Sequence, residues 1–296
     1  MSLSNHIVEH IYSFKTFVNN ALPVIKELED LVGNPVVPLF FGVHRFINAS
    51  AVDSVYDVLR ELGSVDGLSV VLFSGGGNID EAYLLAMYLQ DMARGKLTVY
   101  VPRYAKSAAT LLACGGDEIV MLPITELGPI DPVLYDERSD KYVPLQSILE
   151  LIHMLGSKEI PKELAREILD RIPVIELGDY KRAVEHNIDL ATRVLSNRMF
   201  KDDPDKAREV AEKLVSYKQH GAAITYEDAK EIGLKVRLAT KEETEPLWSL
   251  HKLFKKHIIE SEYIFKEADG EPIEFKLGKG IILTIAPSTI IKKIKE

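Results

Sequence analysis

The chain has 296 residues, 46% of them hydrophobic and 27% charged, with one cysteine and a formal net charge of -9. That length supports a substantial core, one main domain with terminal additions, and the composition is that of a soluble globular protein rather than a disordered or membrane-spanning one. The acidic balance excludes a nucleic-acid partner, which needs a basic field, and a single cysteine excludes an internal disulfide or a cysteine-based zinc site. Cys114, in an apolar segment beside glycines, reads as a buried structural residue. Lysines at 252–256 and 292–295 read as a solvated helix face and a charged tail. The start MSLSNHIVEHIYSF lacks the basic end and apolar core of a signal peptide. No stretch approaches the roughly 20 apolar residues of a transmembrane helix. A cytoplasmic location is therefore expected, with no membrane association indicated and with neither cofactor nor metal.

In chain order, residues 4–32 carry apolar positions at helical spacing, with Pro23 expected to kink or split the helix. Gly33, Asn34 and Pro35 end it. VVPLFFGV (36–43) is a continuous apolar run of strand length, as a strand buried on both faces requires. Residues 51–62 read as a helix and LSVVLF (68–73) as a second buried strand running into Ser74-Gly75-Gly76-Gly77-Asn78. A helix follows over 80–94, then a third strand over 97–101. Strand alternating with helix in this way predicts an α/β fold with a parallel sheet and right-handed crossovers. Beyond it come a short helix at 108–114, a strand at 118–122 and an additional helical stretch at 145–172. A turn opens a helix over 176–186, with further helices at 189–200 and 204–217. Residues 220–236 read as loop, helix and strand, with Thr225 and Asp228 as a capping box and Gly233 as the C-terminal stop. A last helix spans 242–256, and 263–277 reads as a hairpin around Asp269-Gly270.

Ligands of open α/β sheets bind at the carboxyl ends of the strands, where two loops stand out. The glycines at 75–77 let backbone N–H groups approach a bound oxygen, although a tight strand-to-helix turn explains them equally well. GGGNID lacks the Lys-[Ser/Thr] of a phosphate loop and the spacing of a dinucleotide fingerprint. The second loop delivers Ser107 to a helix start, where it reads either as a cap or as a nucleophile. In the latter role the Gly77 and Ala108 N–H groups would form an oxyanion hole, with Gly76 in support. A serine nucleophile needs a base. His44, His153, His186 and His220 are each poorly placed, whereas a lysine made neutral by desolvation needs no acidic third partner. Lys181 is the better candidate, because Lys106 adjoins Ser107 and neighbouring side chains point apart.

Ser74-Gly75-Gly76-Gly77, the run Tyr104-Ala105-Lys106-Ser107-Ala108-Ala109, and Gly116-Asp117-Glu118-Ile119-Val120 resemble the Clp protease/crotonase superfamily, above all its signal peptide peptidase A branch and the serine dehydrogenase proteinases. The Gly128-Pro129-Ile130-Asp131-Pro132 turn matches more loosely, in the form associated with the latter. The most specific match is Gly178-Asp179-Tyr180-Lys181-Arg182-Ala183-Val184-Glu185, similar to the segment that carries the family's catalytic lysine. Ala108 replaces a frequent glycine, and Lys106 sets a second amine beside the serine. The resemblance covers roughly residues 38–236 and implies a crotonase-like β-β-α spiral with a mostly parallel sheet, a catalytic domain over 36–240; it leaves unexplained the N-terminal helical arm (1–35), which reads equally as a helix covering the sheet of its own chain, and the C-terminal extension (241–296). It further implies a serine peptidase with a Ser107/Lys181 dyad, acting as a homo-oligomer on peptides or unfolded proteins, with Gly77 and Ala108 as oxyanion donors. Three alternatives stay open. One is a Ser/His/Asp triad drawing on His153, His186 or His220 with Asp131 nearby; the others are an acyl-CoA-binding crotonase relative and an inactive oligomeric scaffold.

Overall fold

A computed structural model describes residues 3–136, 141–144, 150–151, 153–155, 161, 164, 166–167, 174–217, 219–265 and 270–287. Its strands are β1 (Val36–Phe41), β2 (Leu68–Phe73), β3 (Leu97–Val101), β4 (Tyr104–Ala105), β5 (Glu118–Met121), β6 (Glu126–Leu127), β7 (Val133–Asp136), β8 (Lys141–Pro144), β9 (Val236–Leu238), β10 (Gly270–Leu277) and β11 (Gly280–Pro287). The α-helices are α1 (Leu3–Val32), α2 (Ala49–Leu59), α3 (Ile79–Met92), α4 (Ala108–Ala113), α5 (Val174–Asn197), α6 (Pro204–Val215), α7 (Tyr226–Ile232), α8 (Lys241–Phe254) and α9 (Glu260–Phe265), with a π-helical turn over Lys255–Ile259.

Seven strands form one sheet in the order β10-β11-β1-β2-β3-β5-β9. Every neighbouring pair is parallel except β10 with β11. The parallel pair β4–β6 lies beside it as a second small layer, so β3-β4-α4 and β5-β6 repeat the strand, strand, helix step of the expected spiral. Successive residues of a strand point to opposite faces. Val37, Leu39 and Phe41 therefore join one core with α2 to α7, while Val36 and Phe40 join the other. All six residues of β1 and all six of β2 are buried, which explains why their sequences run continuously apolar instead of alternating.

The second core unites both ends of the chain. Phe17 of α1 and Phe254 of α8 pack on Phe40, with ring centroids 6.3 and 5.1 Å away, and Phe73 meets Phe40 edge-on at 4.8 Å. The helical arm and the C-terminal extension, set apart in the sequence, thus share one layer, and β11 pairs directly with β1.

Four expectations are corrected. The chain stays helical through Pro23, which faces solvent while Phe17, Ala21, Ile25 and Leu28 hold the opposite stripe in the core. The helices expected at 176–186 and 189–200 are one 24-residue helix, α5, whose buried stripe of Leu190, Ala191, Val194 and Leu195 runs beyond the expected break. The C-terminal hairpin pairs β10 with β11 and turns at Gly278-Lys279, not at Asp269-Gly270. Gly278 has φ +59°, and a glycine at the first position of a two-residue loop suits the strand twist. Residues 263–265 belong to α9 instead of a strand.

The Thr225/Asp228 capping box and the left-handed Gly233 stop are present as expected. The helix expected over 145–172 and the lysines of 292–295 fall largely or wholly outside the described residues. Among the described residues no helix is long and apolar enough to cross a membrane.

Candidate active site

The glycine loop and the serine turn meet at the carboxyl ends of β2 and β3. Ser74 bridges Ala105 in parallel fashion, and the Lys106 N–H donates to the Ser74 carbonyl at 3.1 Å. Gly76 then lies against the serine: a Cβ placed there would be 2.8 Å from the Lys106 carbonyl oxygen and 3.0 Å from Ser107 Cβ. Gly77 packs on the loop before α2, where a Cβ would come within 2.2 Å of the Ile47 carbonyl oxygen. Its φ of +148° is a second reason for glycine.

Ser107 holds the N-cap position of α4 through its backbone alone, its carbonyl accepting the Thr110 N–H at 2.8 Å. Its side chain makes no capping hydrogen bond, and its backbone sits at φ 51°, ψ -123°. Among the described residues it is the one non-glycine with positive φ. Such a conformation costs on the order of 1–3 kcal/mol and persists only where its surroundings over-determine it. They do so here. The Thr110 hydroxyl lies 2.7 Å from the Ala105 carbonyl and 2.8 Å from that of Gly128, and it accepts the Gly128 N–H at 3.0 Å. Gly128 packs tightly on the same turn, where a Cβ would stand 3.1 Å from the Ser107 nitrogen. The half-buried hydroxyl carrier is thereby pushed out of a regular turn.

Of the candidate donors, the Gly76 N–H is already bound to Ser74 Oγ at 3.1 Å. The N–H groups of Gly77 and Ala108 have no acceptor among the described residues. Both donors lie in the two segments that meet where Gly76 packs against Ser107.

The candidate bases differ in setting. Lys181 lies on α5, two turns inside the helix instead of at its start, with its side chain 80% exposed and Nζ 3.8 Å from Glu185 Oε1. The desolvation expected of a lysine base is thus absent in the single chain. The helix itself is fastened to the site on two sides. Asn187 Nδ2 donates to the Ile130 carbonyl at 2.8 Å, and His186 Nε2 pairs with Asp80 Oδ1, just past the glycine loop, at 2.7 Å.

Lys106 has its amine within 2.8 Å of Glu126 Oε2 and 3.2 Å of the Ala222 carbonyl. Burial works to raise the Glu126 pKa, but Lys106 and Arg103 outweigh it and hold the carboxyl below its ordinary value. His220 Nδ1 lies 2.8 Å from Asp131 Oδ1, and the other carboxylate oxygen of this buried aspartate has no hydrogen-bond partner among the described residues. His153 is exposed. His44, whose buried Nε2 has no hydrogen-bond partner among the described residues, sits past the end of β1 and meets the Tyr263 ring edge-on. Cys114 is fully buried, and burial pushes its thiol up to about 12, which excludes it as a nucleophile.

Sequence reasoning did not single out Thr110, Glu126 or the strain at Ser107. The first two are ordinary polar residues until the fold stacks their segments, and strain has no residue-type signal when the residue is not glycine. Among the described residues no cluster of three or more His, Cys, Asp or Glu could hold a metal ion.

Two curated proteins of Methanocaldococcus jannaschii are similar to this chain. The uncharacterized protein MJ1495 is 25% identical over 226 residues, 73% of this chain and 70% of its own length. The uncharacterized protein MJ0137 is 26% identical over 243 residues, 78% of each chain. Among solved structures, a mutant of the 1510-N membrane-bound stomatin-specific protease in complex with a substrate peptide is similar at TM-score 0.44 and 17% identity, covering 88% of this chain and 94% of that chain. ClpP1 from Listeria monocytogenes is similar at TM-score 0.39 and 12% identity, covering 74% and 99%. The family described as ClpP-like SDH-type serine proteinase matches residues 31–266.

Proposed function

The chain belongs to the ClpP-like SDH-type serine proteinases, and from that premise we propose that it cleaves peptide bonds with Ser107 as nucleophile and Lys181 as general base. The observation that carries the reading is the Ser107 turn: a strained serine, its hydroxyl not used as a cap, facing a glycine loop with a free N–H. Neutral Lys181 takes the Ser107 proton as Oγ attacks the carbonyl carbon, and the Gly77 and Ala108 N–H groups hold the developing oxyanion. The same proton passes to the leaving amine as the C–N bond breaks. Water then attacks the acyl-serine ester, giving up its proton to the lysine, which passes it to Ser107 Oγ as the C–O bond breaks, and the carboxylic product leaves.

A lysine base must be shielded from water, and Lys181 is exposed in the single chain. A neighbouring copy supplies that cover in this reading, with the working form a homo-oligomer acting on peptides or unfolded proteins.

One observation favours a second base. The His220–Asp131 hydrogen bond has the form of an imidazole oriented by a buried carboxylate, and the turn carrying Asp131 begins at Gly128, against the Ser107 nitrogen. Parallel assays of K181A and H220A on a fluorogenic peptide decide between them. The lysine reading expects K181A to lose about 10²–10⁴-fold in rate, the scale of a general base, with H220A reduced far less. The opposite ranking assigns the role to His220.

A further inference from the structure

The ammonium group of Lys106, one residue before Ser107, makes three hydrogen bonds to two separate segments, β6 and the loop at Ala222. It donates to Glu126 Oε2 at 2.8 Å, to the Ala222 carbonyl at 3.2 Å and to the Leu127 carbonyl at 3.4 Å. A lysine ammonium has three donors and no acceptor, so all of its capacity is used. The stem crosses Gly128, where a Cβ would stand 2.8 Å from Lys106 Cδ. The main chain of the same residue binds the Ser74 carbonyl and lies against Gly76. One residue therefore touches the glycine loop, β6, the Gly128 turn and the loop that carries His220.

We propose that Lys106 is a positioning residue, a charged clamp that locks the positive-φ turn of Ser107 and ties the 219–224 loop to it, and that it takes no part in proton transfer. The alternative, a second amine acting as base beside the nucleophile, requires a free lone pair on a group that here donates in three directions. The clamp can be removed without unfolding the site, because Glu126 keeps Arg103 at 2.8 Å and Leu127 keeps its two backbone bonds to Ile224. The kinetic consequence rests on the reading of Ser107 as nucleophile; the structural consequence does not.

The test compares wild type with Lys106→Met, Lys106→Gln and Lys106→Arg by two measurements. One is the rate at which an alkyl fluorophosphonate labels Ser107 as a function of pH, and the other is hydrogen exchange of peptides spanning 104–114 and 219–225. The clamp predicts labelling in the order wild type, Arg, Gln, Met, with Met slower by about ten- to a hundredfold, the scale of lost positioning. The pH midpoint of labelling stays where it is in wild type, and exchange quickens in both segments together in the Met variant. Three results overturn the proposal: wild-type labelling and exchange in Lys106→Met, absence of the graded order, or a shifted pH midpoint, which would make Lys106 a proton-transfer group. If wild type itself takes no label, the nucleophile reading fails. Exchange then decides the clamp alone: joint quickening in the two segments supports it, and an unchanged pattern overturns it.

Discussion

Strain at Ser107 and close packing at the glycines depend on one another at the level of single residues. Gly77 is held where its φ is +148° and where any Cβ would strike the Ile47 backbone. Gly77→Ala should cost at least about 1–2 kcal/mol from backbone conformation alone, with the clash added. On the proposed role of Gly77 as an oxyanion donor it should also slow the reaction of Ser107, so a urea titration and a fluorophosphonate rate should fall together. Glu126 offers a pH-dependent check. Its carboxyl is held below the ordinary 4.5 by Lys106 and Arg103 against the opposing effect of burial. A depressed carboxylate pKa stabilises the fold fully above the unfolded value, and the contribution disappears as pH falls through the lower, folded one. Unfolding free energy should therefore drop below about pH 4.5, and Glu126→Gln should flatten that part of the profile while lowering stability at neutral pH. The residue types Ser107, Gly76 and Gly77 were legible in the sequence. The free hydroxyl was not, because a serine before a short helix looks the same whether it caps or not.

At the scale of elements, α1 and α8 are integral to the sheet. Phe17 is fully buried and touches both Phe40 and Phe254. Phe17→Ala should destabilise the protein by about 3–5 kcal/mol in thermal or urea unfolding, the usual cost of emptying an aromatic site in a core. Were α1 an arm independent of its own sheet, the effect would be near zero. The four parallel strands of the first half, β1, β2, β3 and β5, were readable because a doubly buried strand is an unbroken apolar run. The C-terminal hairpin was misplaced because Asp-Gly is a strong local turn signal, whereas the actual Gly278-Lys279 turn is fixed by pairing with β1 through β11. Similarly, the turn expected to open a helix within 176–186 lies inside α5, which begins at Val174.

Across the whole molecule, the second core reaches the glycine loop through Phe73, and a histidine ties it to acid stability. His251 is 8% exposed and stacks between Phe73, the last residue before the glycine loop, and Trp248, with centroids 5.5 and 4.8 Å away. Burial, with Arg103 and Lys255 nearby, lowers its pKa to about 4 from 6.5. The unfolded chain takes up this proton first, so stability should decline as pH falls from 6.5 towards 4 and then level off. The loss amounts to about 3 kcal/mol, and His251→Phe should remove it from the unfolding profile. None of this was visible in the sequence, since a histidine on a helix gives no sign of what the opposite sheet face places against it. The family and the sheet were legible from motifs a strand or a helix apart; the proton acceptor was not, since it depends on which surfaces cover α5. The claim that everything else serves is that Ser107 is a nucleophile. Treating the intact protein with an alkyl fluorophosphonate and mapping the adduct by mass spectrometry tests it most directly. The account predicts a single adduct on Ser107, lost in Ser107→Ala together with peptide hydrolysis; no adduct there, with hydrolysis surviving in Ser107→Ala, would contradict it.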